Sequence, residues 1–137
     1  MPTSSSPQNQ RGASAVEMAL ILPLLLIVVF AIIDYSRFFF IRSTVTAAVA
    51  DATRLAVLPG TTDAMIAAAI TQSLLDPVNQ AAGQAPNVSV TPAQRNAGQP
   101  VTVTASIPFS PLILPQFLGK TLFPQNINAA ATMVVEP

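Results

Sequence analysis

The chain has 137 residues, 51% of them hydrophobic and only 9% charged, with six basic and six acidic side chains and a mean hydropathy of +0.55. That is too apolar for an ordinary soluble domain of this size unless part of it sits in lipid or in an assembly, and the even charge balance argues against a nucleic-acid binder. Cysteine and histidine are both absent, which removes disulfide frameworks, thiolate metal sites and histidine-dependent catalysis.

Residues 1–10 are polar, contain Pro2 and Pro7, and show no apolar periodicity, so they are expected to be disordered or removed. Residues 13–33 form an apolar run of about 21 residues, and about 20 are needed to cross a bilayer as a helix. Glu17 is the one charge inside it. An isolated carboxylate there costs roughly 2.5 to 3.5 kcal/mol by insertion scales and calls for a partner. A cut after Gly12 would create an α-amino group on Ala13, one turn before Glu17. Between two packed copies, the carboxylate of one helix then neutralises the amine of the other. A conventional cleaved signal peptide fits less well, because the run exceeds the usual apolar core of such peptides and Asp34-Tyr35-Ser36-Arg37 follows it in place of a small-residue cleavage site. Pro23 removes one backbone bond and permits a kink.

Asp34, Tyr35 and Arg37, with Phe38, Phe39 and Phe40, mark the membrane interface, where aromatic and charged groups settle. The helix is expected to continue as an amphipathic one. Phe38, Ile41, Val45, Ala48, Val49, Ala52, Leu55 and Ala56 recur every three or four residues, while Ser36, Ser43, Asp51 and Arg54 fall on the other side. Asp34 with Arg37, and Asp51 with Arg54, are spaced to pair. Pro59-Gly60 ends the helix near residue 58, giving about 45 residues and close to 70 Å.

Thr61-Thr62-Asp63 offers an N-cap to a second, shorter helix over 64–75, with Met65 or Ile66, Ala69 or Ile70, and Leu74 as its apolar stripe. Asp76-Pro77 closes it, and 78–87 reads as a loop. From Asn87 the period becomes two. Val88 and Val90 belong to one strand and residues 101–107 to another, paired as an antiparallel hairpin through the turn-rich 94–99. Residues 108–124 are apolar but interrupted by four prolines and cannot be a central strand. They predict a loop covering the sheet, with a helical turn at 116–119, or alternatively a partner surface. Residues 127–136 supply a third strand. The expected fold class is α+β: a long amino-terminal helix, a short helix and a small antiparallel sheet, divided into residues 1–12, 13–58 (membrane-spanning over 13–33) and a head over 61–137.

The run Arg11-Gly12-Ala13-Ser14-Ala15-Val16-Glu17-Met18, followed by Ala19-Leu20-Ile21-Leu22-Pro23-Leu24-Leu25-Leu26, is similar to the class III leader of type IV pilins and pseudopilins. With Ile32-Ile33-Asp34-Tyr35-Ser36-Arg37 and the later Ala47-Ala48-Val49-Ala50-Asp51-Ala52-Thr53-Arg54-Leu55-Ala56, residues 11–58 resemble the TadE-like pilins of the tight-adherence system. Met18 stands where such pilins commonly carry an aromatic, and a flexible apolar side chain fills the same space.

The resemblance implies a minor pilin or pseudopilin. A prepilin peptidase would cut it between Gly12 and Ala13, Glu17 would carry assembly, and residues 1–12 would be a leader. It further implies an inner-membrane, single-pass protein with a cytoplasmic N-terminus and an extracytoplasmic head. Its partners would be the bilayer, the major pilin, other minor pilins and the inner-membrane assembly platform, and its role would lie in pilus assembly, adherence and biofilm formation. No phosphate-binding glycine loop or catalytic pair of carboxylates stands out, so neither an enzyme nor a cofactor, metal, nucleic acid or small-molecule substrate is expected. An uncleaved bitopic envelope protein with a periplasmic binding head accounts for the apolar helix equally well, but not for the spacing of Gly12 and Glu17. A pseudopilin of a type II secretion machine would favour an aromatic in place of Ala13.

Overall fold

A computed structural model describes residues 8–74, 85–114, 119 and 121–135, with side chains from Gly12 onward. Five elements follow one another: α1 (Gln8–Ala56), α2 (Asp63–Ser73), β1 (Asn87–Thr91), β2 (Pro100–Pro108) and β3 (Asn126–Val134). The expected α+β architecture is the observed one.

The long helix α1 is continuous through Pro23 and runs for 49 residues. It is already helical at Gln8, five residues before the expected onset, because glutamine is a good helix former and apolar periodicity does not mark where a helix starts. It ends at Ala56, where Pro59 and Gly60 turn the chain away; Gly60 takes a φ of 83° that only glycine adopts freely. The Thr62 hydroxyl accepts the Met65 N–H at 3.3 Å and caps α2. The expected last residue of α2, Leu75, the loop over 78–84 and Glu136 of the third strand lie outside the described residues.

The sheet has the order β1-β2-β3, both pairs antiparallel, with Val90 opposite Val103 and Ile107 opposite Ile127. Alternation puts Val101, Val103, Ala105 and Ile107 on one face of β2, all buried. That face packs on the second half of α1, where Ile41, Val45, Val49, Ala52 and Ala56 are buried, while Ile66, Ile70 and Leu74 of α2 complete the core. Leu55, expected on the core stripe, is 41% exposed, and Thr53 is buried instead. Its hydroxyl donates to the Val49 carbonyl at 2.6 Å, so the helix itself satisfies the polar atom. Of the two apolar candidates at the start of α2, Ile66 is buried and Met65 is exposed.

The loop between β2 and β3 departs most from expectation. Its described residues pack on α1 near the end of the apolar run rather than over the sheet. Phe109 and Phe123 enclose Phe38, with ring centroids 5.3 and 5.9 Å away. A helical turn is present, closed by the Phe123 N–H on the Gly119 carbonyl at 3.0 Å. It falls later than 116–119, of which 116–118 lie outside the described residues.

Candidate functional site

The functional residues expected from sequence fall at two levels of α1. Gly12, Ala13 and Glu17 lie on its first half, where every residue from 12 to 29 is exposed. Ala13 and Glu17 are four apart and therefore share a face, one turn from each other. The segment is long and apolar enough to cross a membrane, and none of its most apolar stretch is covered by the rest of the chain. An apolar surface of this extent requires lipid or partner helices around it.

At the second level stand Asp34, Tyr35 and Arg37. Tyr35 is 53% exposed and sits edge-on to Phe39 at 4.9 Å, with Phe123 at 5.8 Å, an arrangement suited to an interface that is apolar on one side and wet on the other. Arg37 donates to the Ser110 carbonyl at 3.0 Å, and its guanidinium lies 5.6 Å from the centre of the Phe109 ring. Asp34 differs from what was expected of an interfacial charge, because its carboxylate is wholly enclosed by protein. It accepts three consecutive backbone N–H groups of the loop: Leu112 at 3.1 Å on Oδ1, and Ile113 at 3.2 Å and Leu114 at 2.9 Å on Oδ2. A buried carboxylate needs such partners, and three aligned amides supply charge-assisted hydrogen bonds. The expected Asp51–Arg54 pair is present at 3.8 Å, on the exposed side.

Sequence reasoning missed two features. One is the binding of 112–114 by Asp34, between residues 78 to 80 positions apart. The other is Arg95, whose mostly buried guanidinium donates to the Thr61 carbonyl and to the Asp63 carboxylate, fastening the hairpin loop to the start of α2. A lone basic residue in the turn-rich 94–99 segment was the available signal for it. Among the described residues, no group of three or more Asp or Glu could hold a metal ion.

A helix that is uncovered along its apolar first half, forms part of a core along its second, and is bound to a small α+β head by a buried aspartate defines a single-pass, membrane-anchored protein. Residues 12–54 of that helix match the model of the TadE-like protein family. The match covers nearly all of the helix that follows Gly12 and stops before the head. No curated protein and no solved structure matches the chain.

Proposed function

We infer that the protein is a minor pilin or pseudopilin of a tight-adherence pilus. A prepilin peptidase cuts it after Gly12, the protein resides in the inner membrane with its N-terminus cytoplasmic and its head outside, and it packs through α1 beside the major pilin and other minor pilins on the assembly platform. In that role it supports pilus assembly, surface adherence and biofilm formation. Its site is a packing surface, and its function is structural. One observation carries the reading: an uncovered apolar helix places Glu17 one turn after Ala13 on the same exposed face. Once Ala13 bears a free amine, the Glu17 carboxylate of a neighbouring copy can meet it, removing two isolated charges from an apolar surrounding together. Gly12 suits the cut because it has no side chain to hinder a peptidase, and its surroundings in α1 are open.

The test is the intact mass and N-terminal sequence of the protein purified from membranes of its own host. A chain beginning at Ala13 is expected. A chain beginning at Met1 or Pro2 would make it an uncleaved envelope anchor, and one beginning beyond Ile33 a secreted domain; either result overturns the pilin reading.

A further inference from the structure

The sheet ends in two unlike edges, and the backbone pairing sets which residues face outward at each. Between β2 and β3 the Val135 N–H donates to the Gln99 carbonyl at 3.0 Å and the Phe109 N–H to the Gln125 carbonyl at 2.8 Å. With the observed register, the odd-numbered residues of β3 therefore bond to β2. Asn126, Asn128, Ala130, Thr132 and Val134 turn their N–H and C=O groups the other way, and all five are exposed. Among the described residues, none bonds to those outward groups.

On the β1 side the same parity falls on Pro86, Val88, Val90 and Pro92, and on Pro100 and Pro108 where β2 outruns β1. The four prolines have no N–H to leave unpaired. Proline and short length are devices that blunt a sheet edge against strand addition. β3 has neither: it runs for nine residues without proline, charge or bulge. One edge is closed and the other is open.

The direction of β3 decides what can pair with it. The chain enters β3 at the level of Phe38, which Phe123 meets with ring centroids 5.9 Å apart. It leaves at the level of Ala56, which lines one cavity with Leu58, Gly60 and Val135. β3 thus climbs beside α1 in the same sense. A copy anchored in the same membrane presents both its edges in that sense too, because β1 and β3 are each antiparallel to β2. An antiparallel pair would send the two anchors opposite ways, so copies pair in parallel, and β3 offers more donors than β1.

We propose that the open edge of β3 takes β3 of a second copy, in parallel, joining two three-stranded heads into one sheet. Main-chain hydrogen bonds across the edge supply the contact. Both edges present even-numbered residues, and a residue in a parallel pair bonds to the two neighbours of the one opposite it. The copies are therefore offset by an odd number of residues, Asn128 standing opposite Ile127 or Ala129 of the second copy. The half-turn about the strand that this requires puts the two α1 helices on opposite faces of the joined sheet, both directed into one membrane. The inference rests on α1 anchoring the chain and is independent of cleavage after Gly12.

The test uses the full-length protein in vesicles of phosphatidylethanolamine and phosphatidylglycerol. Cysteine is absent, so single spin labels at Asn128→Cys or Ser89→Cys report distances between copies by dipolar electron spin resonance. One strand spacing separates the two β3 strands and five separate the two β1 strands, so the distance at 89 is expected to exceed that at 128 by about 20 Å. Ala130→Pro, added to Asn128→Cys, removes one outward N–H and no bond to β2, and should lower the paired fraction several-fold. Ala130→Lys should do the same by charging the edge, and it decides the matter if the proline variant melts at a lower temperature. Met65→Lys, on the exposed side of α2, should leave pairing unchanged. Protein that floats with the vesicles but shows no distance between copies overturns the proposal and leaves the anchor standing. A distance at 128 that neither Ala130 variant changes, or that is no shorter than the one at 89, assigns the contact to another surface and also overturns it. Protein that does not float with the vesicles overturns the anchor and the proposal together.

Discussion

Replacing Asp34 tests the joint between anchor and head most directly. In Asp34→Ala the three N–H groups of Leu112, Ile113 and Leu114 lose their acceptors. The Leu114 bond is buried, so its amide is left dry, at roughly 1 to 3 kcal/mol; the other two bonds are only partly buried and add about 0.5 kcal/mol each where water replaces the carboxylate. The sum, about 3 kcal/mol, corresponds to roughly 100-fold in the local opening equilibrium, since 1.4 kcal/mol is about tenfold. Asp34→Asn is milder. Its amide oxygen, turned to the Oδ2 position, keeps the bonds to Ile113 and Leu114 and loses charge assistance, while its NH2 meets the Leu112 donor. About 1.5 kcal/mol, or roughly tenfold, is expected. Amide hydrogen exchange of the full chain in vesicles reads this directly: exchange at 112–114 should rise in the order wild type, Asn, Ala, while residues 101–107 of β2 keep their protection. Wild-type exchange at 112–114 in the Ala variant would refute the claim that this carboxylate holds the loop.

Other variants test separate parts of the molecule. Gly12→Val should leave the unprocessed mass in host membranes, and Glu17→Val should insert in the membrane and be processed yet fail to enter pili; immunoblots of membrane and sheared-pilus fractions distinguish the two. Ile70→Ala, at a fully buried position, should destabilise the head by about 2 to 5 kcal/mol in thermal unfolding, against roughly 0.5 kcal/mol or less for Met65→Ala one turn earlier on the exposed side. Arg95→Met should lower stability by about 1 to 2 kcal/mol through loss of its bonds to Thr61 and Asp63, seen as a lower melting temperature with unchanged membrane insertion.

Local periodicity made the secondary structure legible. The stripe from Phe38 to Ala56 and the alternation in Val101, Val103, Ala105 and Ile107 are properties of neighbouring residues, and they placed α1, α2 and all three strands. Leu55 failed because the pattern counts apolar residues and does not see that Thr53 can hide its hydroxyl against the Val49 carbonyl. The placement of the loop's described residues, 109–114 and 121–123, failed for a different reason. Its docking depends on three backbone amides meeting one carboxylate nearly 80 residues earlier, and backbone donors are the same in every sequence but proline. What the sequence did show was an aspartate at the end of an apolar run and a loop in which four prolines carry no donor.

The position of Asp34 relative to Glu17 bears on how such a subunit can sit among others. The two are 17 residues apart, which at 3.6 residues per turn sets their side chains about 100° apart around a straight α1. The head covers the Asp34 side, along Phe38, Ile41 and Val45, so a neighbouring helix that pairs at Glu17 approaches from a flank the head leaves open. α1 has no break between the two levels, and the Asp34 bonds hold the loop to the helix on one side. The angle between the Glu17 face and the head is therefore fixed within each subunit, and under the proposed pilin role packing at Glu17 would set where the head points. The two lesions should then separate. Loss of the Glu17 carboxylate removes entry into the pilus and leaves the head's exchange protection intact, whereas Asp34→Ala frees the loop and leaves the helix able to pair.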